Sequence, residues 1–136
     1  MLKALVADDD LIYRHFFSSV LRQLDFSVVA EADNGQKAVD LEVQYDPDLV
    51  LLDIMMPGLN GFLALEEISV RVPNTFIIMH TAIDDEEVKS RCRLAGAQDY
   101  IVKAGHLKLT AEKIIKHVRF LRTRPFNRVL PTITKS

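Results

Sequence analysis

Three consecutive aspartates, Asp8-Asp9-Asp10, close the first apolar stretch of the chain, and Asp53 closes the most apolar one, Leu49-Val50-Leu51-Leu52. His80-Thr81 follows the run "FIIM", and Lys103 follows "DYIV". Acids gathered at one place repel each other and need a counter-charge. Carboxylates with room for water suit Mg²⁺, a hard cation that takes oxygen ligands. A metal beside a carboxylate also suits phosphoryl chemistry. The metal and a lysine neutralise phosphoryl oxygens, a hydroxyl donates to a third, and a carboxylate attacks phosphorus to form an acyl phosphate. Asp53 is the candidate nucleophile. A rigid apolar strand delivers it, and Pro57-Gly58 turns the chain away so that the edge stays open.

These residues meet only if the elements before them line up. "KALVAD" (3–8), "FSVVAEA" (26–32), "DLVLLD" (48–53), "TFIIMH" (75–80) and "DYIVK" (99–103) read as strands. Between them lie helical stretches. Ile12, Phe16, Val20 and Leu24 form a stripe at a spacing of four. Asn34 can cap a helix that stops before Pro47, and Asn60 one that Pro73 ends. Asp84 and Glu87 can form a reciprocal cap for a helix that closes near Ala95-Gly96. Leu107, Ala111, Ile114, Val118 and Leu121 mark the last helix. Five β-α units in strict alternation predict an α/β fold, a parallel sheet with helices on both faces. Such sheets bind ligands outside the C-terminal ends of their strands, where all the residues above fall.

At 136 residues the chain is expected to hold one core and to need no staples. A composition of 49% hydrophobic and 26% charged residues reads as soluble and globular. One cysteine, Cys92, excludes an internal disulfide and fits a reducing compartment. No signal peptide or membrane-length apolar run is read, so a cytoplasmic location is expected, with no membrane partner. The net charge of −2 hides an asymmetry. Residues 113–136 hold seven Lys and Arg and no acid, which leaves −9 on residues 1–112. The basic end reads first as a solvated helix face running into a linker, and second as a contact for an acidic partner.

The motifs "VADDD", "VLLDIMMPGLNG", "IIMHTA" and "DYIVK", in this order and at these separations, resemble the response-regulator receiver domain of two-component signalling, as found in chemotaxis regulators. The resemblance covers about residues 1–121. It implies a doubly wound five-stranded sheet of order 2-1-3-4-5, a flavodoxin-like three-layer sandwich. It further implies a phosphorelay receiver that takes a phosphoryl group from a sensor histidine kinase or a histidine phosphotransfer protein onto Asp53. By the same resemblance Asp9 ligates Mg²⁺ directly, Asp8 helps mostly through water, and the backbone carbonyl of Met55 completes the protein ligands. Thr81 and Lys103 hold phosphoryl oxygens. Tyr100 matches the switch aromatic that turns inward when the Thr81 hydroxyl moves to the phosphoryl group. Such a domain catalyses its own phosphorylation and dephosphorylation without being a turnover enzyme. Its outputs are a downstream effector domain or protein, reached through the face of the fourth helix, fifth strand and fifth helix, and homodimerisation. No direct nucleic-acid contact is expected from it.

Plainer readings stand beside these. Asp10 reads as the N-cap of the first helix, and Tyr100 as core with its hydroxyl at the surface. His80 is expected to line the surface at its strand end, because an ionised aspartate needs no base. His15 lies on a face that resembles the family's kinase-docking surface. Cys92 reads as a small apolar residue, and Met55-Met56 lack the other soft ligands that a soft-metal site needs. The chain departs from the family's pattern in "Lys103-Ala104-Gly105", where proline usually follows the lysine. A cis bond before Ala104 would cost about 2.5–4 kcal/mol, so either an unusual cis peptide or a reshaped loop is expected. Asn60 stands where aspartate is frequent, which changes a cap and not the chemistry.

Three other classes compete. A haloacid-dehalogenase-type phosphatase needs a second acid two residues after the nucleophile, where Met55 stands. A flavodoxin-like electron carrier needs a hydroxyl- and glycine-rich phosphate loop, where Asp8-Asp9-Asp10 stands. A phosphorylation-independent receiver-like interaction module does not need Asp9, Asp53, Thr81 and Lys103 together. Residues 1–122 are read as the receiver domain and 123–136 as a basic tail or as the linker of a larger regulator. Met55 and Ile83 flank the expected line of water attack with apolar bulk, which predicts a long-lived phosphoryl state.

Overall fold

The computed structural model describes residues 1–71, 75–103 and 105–123. Five strands and five helices alternate: β1 (Lys3–Ala7), α1 (Leu11–Gln23), β2 (Ser27–Ala32), α2 (Gly35–Tyr45), β3 (Leu49–Leu52), α3 (Gly61–Arg71), β4 (Phe76–Thr81), α4 (Glu86–Leu94), β5 (Asp99–Val102) and α5 (Leu107–Thr123). All strand pairs are parallel, in the order β2-β1-β3-β4-β5. The expected α/β architecture is the observed one.

The central strands are continuous apolar runs because helices cover both of their faces. Successive side chains point to opposite faces, so each strand feeds two cores. On one face Ala4, Val6, Leu49, Leu51, Phe76, Ile78 and Ile101 pack against Phe17 and Leu21 of α1 and Ile114 and Val118 of α5. On the other, Leu5, Ala7, Val50, Leu52, Ile77 and Met79 pack against α2, α3 and α4, through residues such as Val39, Leu65, Ile68 and Cys92. Each large side chain buried this way contributes about 1.5–3 kcal/mol. β2, at the sheet edge, is only half-buried along most of its length.

Helix starts follow the capping residues, with one correction. Asp10 accepts from the N–H groups of Ile12 and Tyr13, Asn34 from Lys37, and Asn60 from Leu63. The cap of α4 is Asp85, not the expected Asp84–Glu87 pair. Asp85 is the extended residue before Glu86, and it accepts the Val88 N–H at 3.0 Å. Asp84 pairs with Lys89 instead, at 2.8 Å. The stripe on α1 holds in part: Val20 is buried, and Phe16 and Leu24 pack partly buried against the same core, but the centre of the buried face lies one residue on. Ile12 is 67% exposed and Phe16 half-buried, whereas Phe17 and Leu21 are fully buried. A spacing of four fits two adjacent faces of one helix, and packing against the sheet selects the one through residues 17 and 21. On α5 Ile114 and Val118 are buried as expected. Pro73, Ala104 and residues 124–136 lie outside the described residues, and with them the expected proline stop, the loop after Lys103 and the basic tail; the side chain of Leu121 is likewise not described. Among the described residues no helix is long and apolar enough to cross a membrane.

Candidate functional site

Each strand-end residue hangs from the sheet by one further backbone bond. The N–H of Asp8 donates to the Ala32 carbonyl (2.9 Å), that of Asp53 to Ala7 (3.0 Å) and that of Lys103 to Thr81 (2.8 Å). The ladder thus runs one residue past the strands, and the reactive side chains start from rigid backbone. Two glycines permit the tight packing that follows. Gly58 sits in the turn at φ +69°, a region open to glycine. At Gly61 a Cβ would lie 1.7 Å from the Asp53 carbonyl oxygen, so only glycine lets α3 start against the end of β3.

An open cleft of about 540 Å³ lies at this edge, lined by Asp8, Asp9, Asp10, Asp53, Met55, Met56, Pro57, Thr81, Ala82 and Lys103. The carboxylates of Asp8, Asp9 and Asp53 offer oxygens within 4.8 Å of one another. Asp8 is fully buried, Asp53 is 4% exposed and Asp9 is exposed. The ammonium of Lys103 supplies the counter-charge. Its Nζ donates to Asp8 Oδ2 at 2.8 Å and to Asp53 Oδ2 at 3.1 Å. It also lies 4.3 Å from the centre of the Tyr13 ring, a cation–π contact. Asp53 Oδ1 takes the Met55 N–H at 3.3 Å, and Asp8 Oδ1 takes that of Asp10 at 2.9 Å.

Burial is the largest influence on the Asp8 carboxyl and pushes its pKa up to about 6, against the lowering effect of Lys103 and the Asp10 N–H. Burial alone would lower Lys103. Its bond to Asp8 and the charges of Asp53 and Asp8 outweigh that and raise it. The lysine is therefore charged throughout the working range.

The structure brings together every residue expected at the phosphoryl centre: Asp8, Asp9, Asp53, Thr81 and Lys103 line one cleft, with Met55 on its wall. Ile83 does not line it. Tyr100 lies farther along, its ring buried as expected and its hydroxyl donating to the Ile83 carbonyl at 2.8 Å. The N–H of the same Ile83 donates to Thr81 Oγ1 at 3.4 Å. One residue therefore links Thr81 to Tyr100. Burial, its largest cause, pushes the Tyr100 hydroxyl up to about 12. Cys92 is buried as read.

His80 is a correction: it is fully buried, not at the surface. It shares the alternation of Phe76 and Ile78 and so points into the α1/α5 core, edge-on to Phe17 with ring centres 4.6 Å apart. Tyr13 and Gly61 were not anticipated. Neither carries a sequence signal of its own, since each acts through a residue about 90 or 8 positions away in the chain.

Residues 4–118 match the family model for the response regulator receiver domain. A chemotaxis protein CheY of Listeria monocytogenes is 39% identical over 103 residues, which are 76% of this chain and 87% of that one. A cyclic di-GMP phosphodiesterase of Thermotoga maritima is 35% identical over 135 residues, 99% of this chain but 35% of that protein, so the chain spans about a third of it. Among solved structures, a CheX–CheY–BeF3–Mg²⁺ complex from Borrelia burgdorferi superposes with a TM-score of 0.83 at 25% identity, over 90% of each chain.

Proposed function

Because the chain belongs to the response regulator receiver domain family, we propose that Asp53 is its phosphoacceptor and that Asp8, Asp9, Thr81 and Lys103 assist it. Membership makes the chain a phosphorelay signal receiver, a signalling domain and not a turnover enzyme. The observation that carries the residue assignment is the single cleft in which Lys103 bridges Asp8 and Asp53. A phosphorylation-independent module has no need of that convergence.

A carboxylate oxygen of Asp53 attacks the phosphorus of a phosphohistidine. The O–P bond forms as the N–P bond breaks, and the bonding pair leaves with the imidazole of the donor. Lys103 is placed to neutralise one phosphoryl oxygen, and the Thr81 hydroxyl to donate to another. The donor set fits a hard divalent cation: three carboxylates with oxygens within 4.8 Å of one another, of which Lys103 bridges two. Asp9 would hold Mg²⁺ directly, with Asp8 through water, Asp53 and the Met55 carbonyl. Bound there, it would offset the charge of the carboxylates and the incoming phosphoryl oxygens. Water attack on the acyl phosphate returns Asp53 and inorganic phosphate, so the domain promotes both its own gain and loss of the group.

The link through Ile83 supports a switch role for Tyr100. A Thr81 hydroxyl that turns to the phosphoryl group gives up the Ile83 N–H, and the Ile83 carbonyl carries the shift to the Tyr100 hydroxyl. The α4–β5–α5 face then meets the effector domain or protein, or a second copy of the chain. A sensor histidine kinase or phosphotransfer protein is the donor. Residues 1–122 act as the receiver and 123–136 as a basic tail or linker, in a cytoplasmic protein without direct nucleic-acid or membrane contact.

The test is incubation with a small acyl-phosphate donor and Mg²⁺, read by intact mass. Wild type should gain one acid-stable phosphoryl group, and Asp53→Asn none. A phosphorylated Asn variant, or a wild type equally phosphorylated without a divalent ion, refutes the assignment. After donor removal, Met55→Asn should shorten the phosphoryl lifetime, because a polar side chain on the cleft wall can orient the attacking water. Ile83→Glu should matter less, since Ile83 does not line the cleft. Unchanged decay in Met55→Asn refutes the slow-decay reading.

A further inference from the structure

The chemistry above leaves one buried polar side chain unused. His80 is fully buried, and neither ring nitrogen has a hydrogen-bond partner among the described residues. An imidazole carries at least one N–H, and burying it unpaired is costly, so its surroundings call for an explanation. Phe17 meets the ring at 4.6 Å and an interplanar angle of 76°. Its Nδ1 faces Asp8 Oδ2 at 3.6 Å. That is just too long for a hydrogen bond, and a small tilt of the ring closes it. Burial first, and then the charge of Lys103, hold the imidazole well below its usual pKa, against the carbonyl groups of Leu51 and Ala7. A carboxylate oxygen facing Nδ1 favours the tautomer with its proton on that nitrogen.

The same Asp8 oxygen is held by Lys103. An ammonium has three protons. Those of Lys103 serve Asp8 Oδ2, Asp53 Oδ2 and the face of Tyr13. A phosphoryl oxygen that recruits Lys103 must displace one of these. Asp8 is the more deeply buried of the two carboxylates, so a lysine drawn toward the open cleft moves away from it. Without another donor, Asp8 Oδ2 would be a buried anionic oxygen with its partner gone.

We propose that His80 is a positioning residue for Asp8, its Nδ1–H holding Asp8 Oδ2 when Lys103 turns from that oxygen to a phosphoryl group. The handover rests on the phosphoacceptor reading of Asp53; the hold on Asp8 does not. Partners that orient a metal-binding carboxylate are worth roughly ten- to a hundredfold in metal affinity.

The first measurement is the imidazole tautomer of His80 in the full chain without Mg²⁺, by long-range ¹H–¹⁵N NMR. A proton on Nδ1 is expected; a proton on Nε2 with Nδ1 bare overturns the proposal, and this readout needs no variant to fold. The second compares His80→Leu with His80→Asn, whose amide nitrogen takes the place of Nδ1. Leu should weaken binding of Mg²⁺ alone by about tenfold or more, and Asn should restore most of it. Equal affinity in Leu and wild type overturns the proposal, as does an Asn variant no better than Leu. Intact mass after an acyl-phosphate donor separates the two readings. If wild type gains no phosphoryl group, the handover falls with the phosphoacceptor reading, while Nδ1–H and the Asn rescue still support the hold on Asp8.

Discussion

The two helical layers that cover the sheet treat buried polar groups differently. Among the described residues, the buried polar side chains of the α2–α4 layer meet partners. Glu42 pairs with Arg71 at 3.2 Å, Ser69 donates to the Ala95 carbonyl at 2.6 Å, and the Tyr100 hydroxyl donates to Ile83. In the α1/α5 layer Ser18 Oγ and both nitrogens of His80 are buried without one among the described residues. Both layers bury comparable apolar side chains, so the contrast is not one of core quality. The difference teaches where the molecule carries unsatisfied polarity: in the layer that backs Asp8 and Lys103. The other layer is closed by satisfied bonds such as the one at Ile83.

The largest expected effect lies where the closed layer meets the cleft. Gly61→Ala places a Cβ 1.7 Å from the backbone oxygen of Asp53, and backbone cannot swing aside as a side chain can. Destabilisation at the upper end of the usual overpacking range is expected, about 3 kcal/mol, with slower phosphoryl uptake because the end of β3 moves. Chemical denaturation and intact mass read the two effects. A variant with wild-type stability would show that the α3 start has more room than the packing implies.

A paired substitution tests the contrast directly. Ser69→Ala loses the bond to the Ala95 carbonyl and should cost about 1 kcal/mol. Ser18→Ala removes a buried hydroxyl that has no partner and should be neutral or stabilise by up to about 1 kcal/mol. Opposite signs in denaturant midpoints sharpen the comparison; equal losses break it.

The smallest effect concerns alkaline pH. The folded state holds the Tyr100 hydroxyl up at about 12, above its ordinary value of 10.0, so the unfolded chain releases that proton first. Between these values the native state binds more protons, and stability falls as pH rises from about 10 towards 12. Tyr100→Phe should lose this part of the pH dependence. A variant and wild type with parallel stability curves across that window would show that burial does not hold the hydroxyl.

Much of this is legible in the sequence. Alternating apolar runs and helical stripes gave the β-α order, because parallel strands covered on both faces must be continuously apolar. A residue that follows such a run must sit at the sheet's C-terminal edge, which places Asp8, Asp53, Thr81 and Lys103 together by topology alone. The caps at Asp10, Asn34 and Asn60 were equally local and equally readable.

What the tertiary structure decided is everything that depends on rotation about an axis or on distant approach. A four-residue spacing leaves a helix free to turn by one residue, so only the sheet could choose Phe17 and Leu21 over Ile12 and Phe16. The strand-end position of His80 was visible, but the face it takes is set by the parity of β4, and its burial by Phe17 arriving from α1. The Tyr13 ring beside Lys103, and the oxygen of Asp53 that only a glycine at 61 can approach, join residues with no common sequence pattern. Local chemistry specifies an element and its ends; contacts between elements exist only once the chain has folded, because they are set by packing and not by periodicity.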